Sequence, residues 1–191
     1  VYDHFGSHGT ACLDTRTCDV IWQRDDLPCN HFRGPASSVS IYGDLMFLPF
    51  DGSDVQYVVA LDKRTGQTLW RTDRNVDFGG LGGAHRKAFS TARVITCQGR
   101  TQVVVPGAMA TMSYDPVSGR ELWRVDDLPG YNVFWQQQCP SLADAVLYAG
   151  SGVGIHALDA ETGATIWERT LWEGAFRITT TPLIFYIGII F

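Results

Sequence analysis

The sequence predicts an all-β fold, a β-propeller built from four-stranded antiparallel blades. A hairpin pattern repeats four times, short alternating strands precede most of its copies, and 20 of the 191 residues are glycine. Glycine-rich turns between short strands of β-branched and aromatic residues are typical of such folds. The apolar share of 45% and the charged share of 18% indicate a globular chain that can bury a core. We therefore expect residues 1–191 to form a single propeller domain with about four blade units.

The repeated hairpin places an aspartate eight residues before a tryptophan in every copy. The copies cover residues 12–22, 60–70, 113–123 and 157–167, and their aspartates lie 44 to 53 residues apart. That period is typical of propeller blades. An aspartate accepts hydrogen bonds from the N–H groups of a turn, and glycine permits the positive φ that such a turn needs. The predicted structural residues of the repeat are Asp14, Trp22, Asp62, Gly66, Trp70, Asp115, Gly119, Trp123, Asp159, Gly163 and Trp167.

The first copy departs from the pattern, because Cys18 stands where the other three have glycine. We expect this turn to be strained or of another type. The tryptophan recurs once per unit, as expected of a large ring that packs between neighbouring sheets. A ligand cage formed by the four rings is the alternative.

Strand-like runs precede the later copies of the hairpin. They cover residues 38–42 and 45–48 in the second unit, 92–96 and 102–105 in the third, and 143–149 in the fourth. With the two strands of each hairpin, these runs predict a four-stranded meander. The opening strand of the fourth unit is the least clear.

The two ends of the sequence are compatible with either a closed or an incomplete ring of blades. The first unit lacks an opening strand, whereas residues 181–191 resemble one without a following hairpin. We expect the chain to be part of a larger ring. In the alternative, the last strand completes the first blade and four blades close. An incomplete ring exposes sheet edges and can self-associate.

No targeting or membrane segment is recognised. The sequence begins without an initiator methionine or a signal peptide, which we interpret as a mature or truncated product. The apolar run 182–191 has ten residues, too few to span a bilayer.

The net charge of the chain argues against two classes of partner. The 15 Lys and Arg residues against 20 Asp and Glu residues give a net charge of −5, so nucleic acid and anionic membranes are not expected partners.

The five cysteines form no Cys-x-x-Cys pair. Cys12 and Cys18 flank a short turn and could form a disulfide across it, although small buried thiols are the favoured interpretation.

The connections between units carry the candidate binding residues, because loops gather at the ends of a propeller channel. The connections 25–37, 72–90, 126–141 and 170–180 all run from an outer to an inner strand, so they share one face, called the loop face. Cations and aromatic rings there suit a protein, a glycan or a small anionic ligand, and ordinary solvated loops are the alternative. The candidate contacts are His31, Arg33, His85, Arg86, Tyr131, Trp135, Trp172 and Arg177.

Two other sequence patterns are weaker candidates for a phosphate site and for a metal site. No helix pattern follows the glycine-rich segment 79–83, so a flexible loop is favoured over a phosphate site. His4 and His8 could bind a metal with Cys29 and His31, but in a strand the first two would lie about 13 Å apart. No metal ligand or catalytic residue is therefore assigned.

The hairpins of the form Ala/Cys-Leu-Asp-x-x-Thr-Gly-x-x-x-Trp resemble the pyrroloquinoline quinone (PQQ) repeat, also called the tryptophan-docking motif. The resemblance covers most of the chain. It implies a PQQ-like propeller, often of seven or eight blades and usually exported to the periplasm. Quinoprotein alcohol dehydrogenases and an outer-membrane assembly lipoprotein share this architecture. The vicinal Cys-Cys ring of the dehydrogenases is absent, and no residue can be matched to their calcium ligands or catalytic aspartate.

The expected function is therefore a non-catalytic, exported binding or scaffold module that acts through its loop face. No cofactor is expected. The alternative is a fragment of a PQQ-dependent oxidoreductase, which would hold PQQ with Ca²⁺ on the channel axis. A hydrolase or lyase built from loop His, Arg and Asp residues has no motif to support it.

Overall fold

The computed structural model describes residues 1–31, 37–126, 140–151, 154–170, 183–185 and 188–190. Antiparallel β-strands joined by turns make up most of these residues. Two 3₁₀ helices, Gly6–His8 and Gly83–Arg86, interrupt the loops. In the described part of the chain, no helix is long and apolar enough to cross a membrane.

Four sheets follow one another along the chain, one for each repeated hairpin. The first contains β1 (Tyr2–His4), β2 (Thr10–Leu13) and β3 (Val20–Arg24). The second contains β4 (Ser40–Tyr42), β5 (Leu45–Asp51), β6 (Gln56–Asp62) and β7 (Thr68–Asp73). The third contains β8 (Arg93–Cys97), β9 (Arg100–Gly107), β10 (Ala110–Tyr114) and β11 (Glu121–Asp126). The fourth contains β12 (Ser141–Ala143), β13 (Val146–Ser151), β14 (Gly154–Asp159) and β15 (Thr165–Thr170).

Each sheet is an up-and-down meander, because strands that follow each other in sequence pair with each other in space. A four-stranded meander repeated along the chain is the blade architecture of a propeller. The predicted fold class, all-β with about four blade units, is confirmed. The first sheet has three strands, in agreement with the missing opening strand.

The fourth sheet corrects one predicted strand. The sequence predicts a single strand over 143–149, but the structure divides it between β12 and β13. Asp144 and Ala145 form the turn between these strands, and both have positive φ. The equivalent turn of the second sheet contains Gly43. Without a glycine, the turn in the fourth unit gave no signal in the sequence.

The last described residues form a separate two-stranded antiparallel sheet of β16 (Leu183–Phe185) and β17 (Gly188–Ile190). The single opening strand predicted over 181–191 is therefore two strands. β16 contacts β12, as β8 contacts β4. Because β16 pairs with β17, the described strands do not show the alternative in which it completes the first sheet.

The core lies between neighbouring sheets. Along β6, Tyr57 and Val59 pack towards the first sheet, whereas Val58 and Ala60 pack towards the third. Successive side chains of a strand point to opposite faces, so a strand covered on both sides is apolar at consecutive positions. Such burial explains why the middle strands are continuous apolar runs and do not alternate.

Because the strands of each sheet are antiparallel, the loops that join them lie at two opposite ends of the sheets. The turns at Asp14, Asp62, Asp115 and Asp159 lie at one end, called the turn face. The β5–β6 hairpin and the described residues of the connections between sheets lie at the opposite end, which is the loop face. Of the loop-face connections, residues 32–36, 127–139 and 171–182 lie outside the described residues.

Candidate functional site

Each repeat turn is closed by its own aspartate. Oδ1 of Asp62 accepts hydrogen bonds from the backbone N–H groups of Arg64 (2.8 Å) and Thr65 (3.0 Å). The other three repeat aspartates accept equivalent bonds in their turns. The bond from the Arg64 N–H, followed by that from Thr65, lowers the pKa of Asp62. These carboxylates are engaged by the backbone of the turn face, at the opposite end of the strands from the loop face.

The tryptophan of each of the first three units lies on the glycine of the next unit's turn. An added Cβ on any of these glycines would lie 2.5 to 2.6 Å from an atom of the indole ring. The three glycines have φ between 70° and 75°, in the left-handed region. Glycine is therefore required for two reasons: the turn needs a positive φ, and the indole ring leaves no room for a Cβ. The pairs are Trp22–Gly66, Trp70–Gly119 and Trp123–Gly163.

At the first two junctions, the indole N–H group bonds to the backbone carbonyl of the residue that follows the next repeat aspartate. Trp22 Nε1 donates to Lys63 O at 3.0 Å, and Trp70 Nε1 donates to Pro116 O at 2.9 Å. Each ring belongs to a different inter-sheet cluster. The first three tryptophans are thus separated by whole sheets and do not form the alternative ligand cage.

Gln102 extends this contact at the third junction. Its Oε1 accepts hydrogen bonds from Trp123 Nε1 (2.9 Å) and Ser113 Oγ (2.5 Å). Its amide nitrogen donates to Ala160 O, which is the carbonyl equivalent to those used at the other junctions. Gln102 is fully buried, so these bonds satisfy its polar atoms inside the core.

A buried ion pair lies beneath the loop face. Arg74 is 1% exposed and Asp51 is 3% exposed, and Arg74 Nη1 donates to Asp51 Oδ2 at 2.9 Å. Arg74 Nη2 donates to the carbonyls of Val105 and Ala110, each at 3.1 Å. Because those carbonyls belong to the third sheet, Arg74 joins the second sheet to the third. Burial raises the pKa of Asp51, and the Arg74 charge opposes this effect.

His31 lies beneath the loop-face surface. Its side chain is 6% exposed, and its Nε2 lies 2.9 Å from Ala88 O. The ring packs edge-on against Phe89, with centroids 4.6 Å apart. The sequence predicts a ligand contact at His31, but the structure uses this side chain to anchor the 83–90 segment. Its burial results from packing against residues 57 positions later in the chain, which the sequence pattern does not reveal.

His85 and Arg86 are half-buried at the end of the Gly83–Arg86 helix. Arg86 Nε donates to Leu81 O at 3.1 Å, and its guanidinium lies 5.6 Å from the centre of the Phe78 ring. The short helix was missed because the glycine-rich segment predicts a flexible loop. The remaining sequence-predicted contacts lie outside the described residues; they are Arg33, Tyr131, Trp135, Trp172 and Arg177.

A polar groove of about 250 Å³ opens beside the β5–β6 hairpin. Arg71 crosses its wall, with the guanidinium 3.7 Å from the centre of the Tyr57 ring and 3.1 Å from Asp73 Oδ1. Sequence reasoning did not identify it, because its residues come from two separate segments, 54–56 and 71–76. The lining residues are Asp54, Val55, Gln56, Arg71, Asp73, Asn75 and Val76.

The described residues contain no group of three or more His, Cys, Asp or Glu side chains that could hold a metal ion. The recurrent carboxylates are engaged in their own turns. His4, a candidate in the sequence, places Nδ1 2.8 Å from Thr10 Oγ1, and burial lowers its pKa to about 4.

The described cysteines are all free thiols. They include Cys12 and Cys18, so the disulfide considered from the sequence is not formed. Cys12, Cys29 and Cys97 are buried, whereas Cys18 is exposed. Cys139 lies outside the described residues.

Comparison with known proteins identifies one family model, described as outer membrane protein assembly factor BamB. It matches the chain twice, over residues 54–126 and 110–184. No curated protein sequence matches.

Solved structures share the fold at low sequence identity. BamB from Moraxella catarrhalis is 19% identical with a TM-score of 0.68, and the match covers 96% of this chain and 51% of that chain. A quinohemoprotein alcohol dehydrogenase from Comamonas testosteroni is 17% identical with a TM-score of 0.67, covering 95% of this chain and 35% of that chain. The quinohemoprotein alcohol dehydrogenase ADHIIG from Pseudomonas putida HK5 is 17% identical with a TM-score of 0.62. That match covers 88% of this chain and 32% of that chain. The chain thus spans about half the length of the first protein and about a third of the two dehydrogenases.

Proposed function

The chain belongs to the outer membrane protein assembly factor BamB family, and from that premise we propose that it is a non-catalytic binding module that acts through its loop face. The buried support beneath that face carries the proposal. His31 and the backbone carbonyl of Asp51 both bond to Ala88, in the 83–90 segment that carries His85 and Arg86, and the buried Asp51–Arg74 pair joins the second sheet to the third. A binding surface on a rigid scaffold loses less entropy when a partner binds.

A protein is the partner that suits this face best. Small-molecule sites are typically mostly apolar and about 300–1,000 Å³ in volume, whereas the loop-face groove is polar and about 250 Å³. Mixed charges such as Arg71 and Asp73 are typical of the rim of a protein interface. The family description, a factor in outer membrane protein assembly, supports a protein partner and an exported protein.

Site-specific photo-crosslinking tests this proposal. A benzoylphenylalanine residue replaces His85 on the loop face or, as the matched control, Arg64 on the turn face, whose side chain is 72% exposed. The full-length protein is expressed in the cells that naturally produce it, and these cells are then irradiated. We expect a crosslinked protein partner from position 85 and none from position 64. Crosslinks from position 64 alone would contradict a loop-face binding role.

The oxidoreductase alternative has the fold likeness to quinohemoprotein dehydrogenases in its favour. Titration with PQQ and Ca²⁺, followed by absorbance, separates the two functions. The binding-module proposal predicts a spectrum equal to the sum of protein and free cofactor. A saturable spectral change at one cofactor per chain would favour the oxidoreductase.

A further inference from the structure

The β5–β6 hairpin differs from the equivalent hairpin of the third sheet. Its loop, 52–55, has four residues, whereas the β9–β10 loop, 108–109, has two. In repeat folds, the extra residues of one unit lie in loops on one face, which is often the binding face. The polar groove opens beside this longer loop, and Asp54 and Val55 of the loop form part of its lining.

Asp54 is held in position within this loop. Its Oδ1 accepts hydrogen bonds from the backbone N–H groups of Asn30 (2.8 Å) and Val55 (2.9 Å). The hydroxyl and the backbone N–H of Ser53 both donate to Asn30 O, at 3.1 and 3.0 Å. The loop is thus tied to the connection that follows the first sheet, and the Asp54 carboxylate is oriented before a partner binds.

The charges that line the groove do not balance. Its lining contains two carboxylates, Asp54 and Asp73, and one cation, Arg71. Arg71 is already engaged, because its guanidinium lies over the Tyr57 ring and donates to Asp73 Oδ1. Among the described residues, no cation forms an ion pair with Asp54. The groove therefore has one negative charge in excess, and Asp54 carries it.

The two amides of the lining add acceptor oxygens. Gln56 Nε2 donates to Gly52 O at 2.6 Å, and Asn75 Nδ2 donates to Asp73 O at 3.4 Å. Because each amide nitrogen is used within the protein, each amide has an oxygen left to accept a hydrogen bond from a ligand. The groove thus offers acceptors to a ligand that is rich in donors.

An arginine side chain suits this lining. A guanidinium has five N–H donors and no acceptor, and its hydrogen bonds to a carboxylate are charge-assisted. Its aliphatic stem packs on apolar surface, which Val55 and Val76 supply at the groove. An anionic group would meet the excess negative charge. Arginine is enriched at protein interfaces, whereas lysine is depleted there.

We infer that the groove beside the β5–β6 hairpin binds an arginine side chain of the protein partner, with Asp54 as its principal contact. This inference rests on the proposed binding role and adds the chemistry by which the partner is recognised. Complementary charges at an interface contribute mainly to specificity and to the association rate.

Titration of the full-length protein with N-acetylarginine amide tests the groove without the partner. Nitrogen-15 NMR follows the side-chain amides of Gln56 and Asn75, and N-acetylcitrulline amide, which lacks the charge, is the matched probe. We expect a saturable shift with the arginine probe and a smaller response to the citrulline probe. No saturable shift, or equal binding of the two probes, would overturn the inference.

Asp54→Asn identifies the contact, because it removes the charge and keeps an oxygen for the two backbone N–H groups. It should bind the arginine probe at least about threefold more weakly than wild type. The matched control is Asp44→Asn, which removes a carboxylate that is 53% exposed beside the Asp62 turn. It should bind the probe as the wild-type protein does.

Photo-crosslinking separates this inference from the proposed function. A benzoylphenylalanine replaces Gly82, next to the hairpin, since an added Cβ on Gly83 would lie 2.8 Å from Ser53 Cβ. We expect Asp54→Asn to lower the yield of the crosslinked partner at least about threefold and Asp44→Asn to leave it unchanged. If Asp54→Asn crosslinks the partner as well as wild type does, the inference is wrong and the binding role stands. If the arginine probe binds but no protein is crosslinked from positions 82 and 85, the binding role fails and the groove is still an arginine site.

Discussion

Replacing Gly119 by alanine tests the junction geometry most sharply. The added Cβ would lie 2.5 Å from Cδ2 and Cε3 of Trp70, so the ring or the turn must move. Overpacking of this kind typically costs about 1–3 kcal/mol. The φ of 70° adds about 1 kcal/mol for a residue with a Cβ. We expect Gly119→Ala to lower the free energy of unfolding by about 3 kcal/mol.

Gly99→Ala is the matched control. Gly99 also has a left-handed φ, 80°, but nothing lies within 4 Å of an added Cβ. It should show only the backbone effect of about 1 kcal/mol. Both substitutions restrict the unfolded chain equally, so that contribution cancels in the comparison.

Urea unfolding followed by tryptophan fluorescence measures both variants. The expected difference of about 2 kcal/mol corresponds to about 4–8 °C in melting temperature for a chain of this size. If the two variants agree within about 0.5 kcal/mol, the reasoning that the ring requires glycine is refuted.

Three further predictions concern buried polar groups. Arg74→Met leaves Asp51 as an unpaired buried charge and should lower the free energy of unfolding by about 3–5 kcal/mol in urea; a loss under about 1 kcal/mol would contradict this. His4 stays neutral when folded, so the unfolded chain binds more protons below pH 6.5 and stability falls as pH drops towards 4. Between pH 7 and pH 5 the wild-type protein should therefore lose up to about 2 kcal/mol more than His4→Asn, and equal losses would contradict the assignment. Gln102→Leu leaves three buried polar partners unsatisfied and should cost about 2–3 kcal/mol by the same unfolding assay, whereas a neutral effect would show that water replaces the amide.

The hairpins could be predicted because their determinants are local. Asp62 and Gly66 close a turn that spans only a few residues. The same residue spacing recurs in the other copies of the hairpin. The turn at Asp144 was missed because it reaches positive φ without glycine. Local chemistry therefore identified the repeat and failed where an unusual residue adopts the turn conformation.

The buried support of the loop face could not be predicted from local patterns. Asp51 and Arg74 are 23 residues apart, and His31 contacts a carbonyl 57 residues later. In a sequence, each of these is a polar residue next to a loop, which is indistinguishable from a solvated side chain. Gln102 was missed for the same reason, since its partners lie in three different strands or turns.

The binding role is tested most directly by measuring partner binding and stability on the same loop-face variant. His85→Ala/Arg86→Ala is compared with Arg64→Ala/Arg120→Ala on the turn face. The readouts are urea unfolding and crosslinking from a benzoylphenylalanine that replaces Gly82, which is exposed, has a φ of −65° and has nothing within 4 Å of an added Cβ. We predict that the loop-face variant loses the crosslinked partner while its free energy of unfolding stays within about 1 kcal/mol of wild type. An unchanged crosslink yield in the loop-face variant, with the yield lost in the turn-face variant, would contradict a binding module that acts through the loop face.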